Sequence, residues 1–195
     1  MTWEQAWQEG RTRWDTGQAA PALVHLLEED LLPKGRALVP GAGAGYDVCA
    51  IAAYGYQVLA LDLAPTAGKR FEEVRSLSGL TAEQASLQIG DFFSFETDEP
   101  FDVIWDYTFL CAIPPELREA WVNKMKELLH DDGELVTLIF PVREDDGEGP
   151  PFAMSPDLVR DLVTPDFEQV YLEPVTCSHP ARMGKEWLAR WKKAR

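Results

Sequence analysis

Short, mostly apolar runs alternate along this chain with longer stretches in which apolar residues return every three or four positions. The short runs lie at residues 36–39, 57–62, 85–89, 101–107 and 134–141. Their length and composition suit strands buried within a parallel sheet. The longer stretches read as helices. Ala22, Leu23, Leu26, Leu27 and Leu31 form one stripe over 21–31, Pro65 opens a second helix running to about 77, and Leu117, Trp121, Met125 and Leu128 share a face over 116–130, with Asp131-Asp132-Gly133 as its end. Ser155-Pro156-Asp157 caps a short helix to Val163. Residues 167–175 and 186–191 instead alternate apolar and polar, the mark of an antiparallel pair, with a loop over 178–184 between them. Strands and helices in alternation, closed by a hairpin, predict an α/β fold: a seven-stranded, mostly parallel sheet with helices on both faces. No repeat or second apolar unit interrupts the pattern, so residues 1–195 are expected to form a single domain.

The pattern changes most abruptly at Leu38-Val39-Pro40-Gly41-Ala42-Gly43-Ala44-Gly45-Tyr46-Asp47, where the first strand passes into a helix over 48–54 through three alternating glycines. Glycine has no Cβ to hold a ligand away from backbone N–H groups and a helix N-terminus, so Gly41 and Gly43 read as a nucleotide-cradling turn. In a dinucleotide fingerprint the third glycine would fall at Tyr46, which is too large for the close helix–strand contact needed there. An NAD-dependent oxidoreductase is therefore disfavoured. Asp62 ends the second strand and is placed to take two ribose hydroxyls. Gly90-Asp91-Phe92-Phe93 follows the third strand, where Asp91 suits an exocyclic amine and Phe92 a base edge. The fourth strand carries Asp106 and Tyr107 to the carboxyl edge of the sheet.

Charge and composition narrow the partners. A formal net charge of −15 opposes a nucleic-acid substrate, because phosphate contacts need clustered Lys and Arg. No run reaches membrane-span length and no secretory signal opens the chain, so a cytoplasmic, membrane-free protein is expected. Cys49, Cys111 and Cys177 and the three histidines are scattered without ligand spacing, so no metal site is expected. Residues 143–151, acidic and rich in Gly and Pro, read as a solvated loop.

The first fourteen residues carry Trp3, Trp7 and Trp14. Thr2 caps a short helix on which Trp3 and Trp7 stand one turn apart, and Gly10 breaks it before Trp14. Two readings stay open: a plug for the core, or a lid over residues 1–20 whose indoles face a bound sulfonium.

Trp3-x-x-x-Trp7, Trp14-Asp15, Val39-Pro40-Gly41, Gly90-Asp91-Phe92-Phe93 and Asp106-Tyr107-Thr108-Phe109-Leu110-Cys111-Ala112-Ile113 together resemble the thiopurine methyltransferase superfamily, most closely its halide/thiol methyltransferase branch. The resemblance runs from Trp3 to Lys192 and implies a Rossmann-like, class I S-adenosylmethionine-dependent methyltransferase. It implies cofactor contacts from Trp3, Trp7, Trp14, Gly41, Asp62, Asp91, Phe92 and Tyr107, and an acceptor pocket at Trp14, Tyr107 and Phe140. Phe140 stands where a tyrosine is frequent, which makes that pocket more apolar. The expected activity is S-methylation of thiols, bisulfide, halides or thiocyanate by in-line displacement, carried by positioning and desolvation without a dedicated general base. An O- or N-methyltransferase of a small metabolite, or a binding protein without turnover, are the alternatives. The acceptor is a small molecule and the expected state a monomer.

Overall fold

The computed structural model describes residues 1–194. Seven strands form one sheet: β1 (Arg36–Pro40), β2 (Gln57–Asp62), β3 (Ala85–Ile89), β4 (Phe101–Asp106), β5 (Leu129–Ile139), β6 (Phe167–Pro174) and β7 (Trp187–Lys193), in the order β3-β2-β1-β4-β5-β7-β6. The first five run parallel, and β7 inserts antiparallel between β5 and β6. The expected mostly parallel sheet and antiparallel hairpin are both present.

Alternation along the strands explains the two apolar layers. Leu38, Leu61 and Ile104 face a layer covered by α5 (Arg118–Leu128) and α6 (Pro156–Val163), through Trp121, Met125, Leu128, Val159 and Val163. Ala37, Val39, Val58, Ala60, Val103 and Trp105 face the opposite layer, covered by α2 (Pro21–Glu28), α3 (Tyr46–Ala53) and α4 (Pro65–Leu77) through Leu23, Leu26, Ile51 and Phe71. Neighbouring residues of a strand point to opposite faces, so continuous apolar runs are what a sheet covered twice requires.

β1 is flanked by β2 on one side and β4 on the other, which makes the carboxyl end of β1 the point where strand order reverses. Crevices of open α/β sheets form at such points. The glycine turn after β1, Asp62 at the end of β2 and Tyr107 just after β4 all reach this edge.

Several boundaries differ from the sequence reading. α2 stops at Glu28 and leaves Leu31 exposed, and α3 begins at Tyr46 rather than at residue 48. α5 is preceded by a 3-10 turn, Pro115–Leu117, and the chain turns directly from Leu128 into β5. Asp131, Asp132 and Gly133, expected to terminate the helix, therefore lie inside β5. Leu129 pairs with Phe101, a register shift follows, and Gly133 lies so close to the Asp102 carbonyl that a Cβ would approach its oxygen to 2.9 Å. Strand pairing overrides the local turn signal. β7 runs to Lys193, where Lys193 pairs with Phe167 of β6.

Candidate functional site

The glycine turn forms one wall. Gly41, Gly43 and Gly45 all have positive φ, at 60°, 55° and 81°, a region that costs other residues strain. Their surroundings differ. A Cβ at Gly45 would collide with the Phe71 ring on α4, so this glycine seats α3 against α4; at Gly41 it would meet Phe109 Cδ2 at 2.6 Å, and at Gly43 it would meet Trp7 Cζ2 at 3.4 Å. Gly41 thus serves local packing against Phe109, a wall residue that the sequence reading did not single out.

Asp62 braces this turn. Oδ2 accepts from Gly43 N–H at 2.8 Å and Oδ1 from Ala64 N–H at 2.9 Å, tying the turn to the entry of α4. Burial raises its pKa, against the opposing pull of backbone N–H groups of Ala64, Gly43 and Leu63. Each oxygen keeps acceptor capacity beyond its backbone partner, as a ribose contact requires.

The N-terminal segment lies over the same wall. α1 (Trp3–Gln8) opens with a capping box between Thr2 and Gln5. Trp14 meets Trp3 at 5.2 Å and Trp7 at 6.0 Å between ring centroids, both edge to face. Glu4 fixes the helix to the start of α4: Oε2 accepts from Thr66 N–H at 2.9 Å and Oε1 from Thr66 Oγ at 2.6 Å, which holds the Glu4 carboxyl below its ordinary pKa. All three indoles are half-buried, and Trp3 and Trp14 belong to neither sheet-facing core.

The floor comes from the end of β4. Asp106 does not reach the ligand edge as expected from sequence. It is 3% exposed and turned inward, accepting from Leu110 N–H at 3.0 Å and Trp121 Nε1–H at 2.9 Å. Burial pushes its pKa up to about 6, against those hydrogen bonds. Asp106 therefore shapes the turn that presents Tyr107 to Phe109. Phe92 is likewise 4% exposed and packs in the core, edge to face with Phe93 and with Phe109. Asp91 is exposed beside it and caps the following turn through Phe93 N–H at 3.1 Å.

The last wall is the loop between β6 and β7, and the sequence reading passed over it as a connector. Arg182, 6% exposed, donates through Nη1 to the Tyr107 hydroxyl and through Nη2 to the Trp14 carbonyl at 2.7 Å. Its guanidinium also lies over the rings of Phe140 at 4.5 Å and Tyr107 at 5.0 Å. The Tyr107 hydroxyl donates to Glu186 Oε1, and Ser178 Oγ donates to Glu186 Oε2. Burial raises the Tyr107 phenol pKa, while Arg182 opposes that rise and Glu186 adds to it. Gln18 Nε2 meets His179 Nδ1 at 3.0 Å, a second tie between the N-terminal segment and this loop. The structure so gathers Trp14, Tyr107 and Phe140 about one buried cation. A lone charged pair in a loop leaves no periodic trace, which is why Arg182 and Glu186 were missed.

Among the described residues no group of His, Cys, Asp and Glu could hold a metal, and no helix is long and apolar enough to cross a membrane. Cys49, Cys111 and Cys177 are free thiols, and burial pushes Cys111 up to about 12.

Known proteins show the same plan. Thiocyanate methyltransferase 1 of Brassica oleracea is 43% identical over 192 residues, spanning 98% of this chain and 84% of that protein. A probable thiol methyltransferase 2 of Arabidopsis thaliana is 42% identical over 194 residues, with the same coverage. Among solved structures, a Burkholderia thailandensis 1,6-didemethyltoxoflavin-N1-methyltransferase with bound S-adenosylhomocysteine superposes with a TM-score of 0.75 at 20% identity, over 98% of this chain and 85% of that one. That likeness shows the class I methyltransferase fold. The model of the thiopurine S-methyltransferase family matches residues 1–194, and the chain belongs to that family.

Proposed function

We propose that this protein methylates small, soft sulfur nucleophiles and related anions, such as thiols, bisulfide and thiocyanate, in the space bounded by Trp14, Tyr107, Phe140 and Arg182. Family membership makes it an S-adenosylmethionine-dependent methyltransferase. When bound, the cofactor supplies an electrophilic methyl group on a sulfonium. The glycine wall fits it: the positive-φ backbone at positions 41 and 43 carries no side chain, with Phe109 and Trp7 packed where a Cβ would stand, and Asp62 has acceptor capacity left for hydroxyls. The rings of Trp3, Trp7 and Trp14 offer π faces to a cation and keep water out.

The observation that carries the acceptor class is Arg182. A guanidinium sandwiched among Tyr107, Phe140 and the Trp14 backbone gives an otherwise aromatic pocket one fixed positive charge. Such a pocket suits a small polarisable anion, for which charge neutralisation offsets part of the cost of leaving water. A nucleophile that is already anionic needs mainly alignment, which can lower a barrier by ~7–11 kcal/mol, whereas a positioned base contributes ~10²–10⁴-fold. Alignment dominates. The relatives are named as thiocyanate and thiol methyltransferases, which agrees with this class.

Incubation with S-adenosylmethionine and a panel of thiols, bisulfide, thiocyanate and halides tests the reading by gas chromatography of the products. Methyl thioethers or methyl thiocyanate, formed with equimolar S-adenosylhomocysteine, are the expected outcome. Turnover confined to alcohols or amines would overturn it.

A further inference from the structure

Glu186 has no part in alignment, yet it is 2% exposed and lies one hydroxyl away from the acceptor space. Its carboxylate oxygens accept from the hydroxyls of Tyr107 and Ser178 rather than from a Lys or Arg. The cation stands on the other side of the phenol, where Arg182 donates to the Tyr107 oxygen. Tyr107 is thereby a bridge. It gives its proton to Glu186, receives one N–H from Arg182, and keeps one lone pair for a further donor.

A thiol differs from thiocyanate or a halide in one respect that bears on this bridge. With a pKa near 8.5 it is mostly protonated at neutral pH, and the thiolate is the nucleophile. We infer, on the basis of the proposed function, that Glu186 is the proton sink for neutral thiol acceptors and is reached through the Tyr107 hydroxyl. The thiol S–H donates to the free lone pair of the Tyr107 oxygen. As that proton arrives, the phenolic proton moves to Glu186 Oε1, so Tyr107 stays neutral and Glu186 becomes a carboxylic acid. The thiolate sulfur then bonds to the methyl carbon, and the electron pair of the old carbon–sulfur bond remains with the departing thioether. After product leaves, Glu186 returns the proton along the same path to water.

In water a carboxylate is a weaker base than a thiolate by about four pKa units. The site narrows that gap on the thiolate's side, because the sulfur forms its charge beside the Arg182 guanidinium, where water is scarce. The other groups facing Glu186 fit a proton-accepting role. Ser178 donates a hydrogen bond, burial lowers the His179 pKa, and Asp47, whose pKa burial raises, is engaged by Ala20 N–H at 2.7 Å and Trp105 Nε1–H at 2.8 Å. Since Glu186 acts through Tyr107, it is a positioning residue for proton transfer and not itself in contact with substrate.

The test compares 2-mercaptoethanol with thiocyanate, at saturating S-adenosylmethionine, between about pH 6 and about pH 9. In Glu186→Gln the ratio of thiol to thiocyanate kcat/KM should fall by at least ~10-fold at the acid end, and recover as solution thiolate bypasses the relay near the thiol's own pKa. Glu186→Asp, which keeps a carboxylate, should restore part of the ratio. Tyr107→Phe leaves Glu186 in place and should reproduce the acid-side fall, so the proposal is read out even where Glu186→Gln fails to fold. Equal losses for both acceptors at every pH would mean a merely structural role, and an unchanged ratio would mean no relay; either overturns the proposal. Wild-type protein that methylates neither acceptor would overturn the proposed function itself.

Discussion

On the β1–β2 side of the crevice the chain uses its backbone: three glycines with positive φ, two N–H groups tied to Asp62, and an aromatic ring set against the space where a Cβ would be. On the β7 side it uses side chains. Arg182, Tyr107, Glu186 and Ser178 hold one another through hydroxyls and a guanidinium, with Arg182 and Glu186 almost entirely out of water and Tyr107 and Ser178 half-buried. The two sides answer to different physics. A backbone wall depends on φ and on the absence of atoms, so it recognises shape and is indifferent to most charge changes. A buried side-chain network depends on every charge having its partner, so it can discriminate acceptors but fails as a unit.

The sharpest break in this comparison is Arg182→Ala. Its loss leaves Glu186 buried without a nearby cation and frees the Trp14 carbonyl, and we expect ~3–5 kcal/mol of destabilisation in urea unfolding together with loss of turnover. Lysine should not rescue, since a point charge cannot serve both the Tyr107 hydroxyl and the Trp14 carbonyl. A variant as stable and active as wild type would remove the network from the account.

Next is Asp106, on the floor between the walls. Its folded pKa, pushed up to about 6, lies above the ordinary carboxylate value, so the folded state holds this proton more tightly than the unfolded chain. The resulting stability is fully present below about pH 4 and is lost as pH rises through about 6, a change on the order of 3 kcal/mol. Asp106→Asn should flatten unfolding free energy over this window. A profile no flatter than wild type would show that other groups set it.

On the backbone side, Asp62→Ala should cost roughly 1.5–3 kcal/mol of S-adenosylhomocysteine affinity by calorimetry, as hydrogen bonds to a charged group are lost and the turn loosens. Acceptor preference should not change. A shift in the thiol-to-thiocyanate ratio would join two walls that the geometry keeps apart.

The smallest effect is expected from Glu4→Ala, which releases α1 from Thr66. If the segment is a lid over the site, cofactor affinity should fall modestly while the melting temperature barely moves. A larger drop in melting temperature than Asp62→Ala produces would favour the plug reading of Trp3, Trp7 and Trp14.

Periodicity alone was enough for the strand runs, the helical stripes, the antiparallel hairpin and the glycine turn with Asp62, because each is a local pattern with a local cause: one face to bury, one φ to permit, one strand end to polarise. The same locality explains the misreadings. Asp131-Asp132-Gly133 is a turn signal by composition, yet it lies inside β5 at an irregularity between Leu129 and Glu134, which pair with β4; Asp106 sits at a ligand edge by position, yet it turns into the core. Trp14 and the Arg182–Glu186 stretch are separated by most of the chain, and nothing in the neighbours of Arg182 and Glu186 marks those two. Only the return of β7 beside β5 brings them to Tyr107, and only burial there gives a guanidinium and a carboxylate enough mutual dependence to define a site.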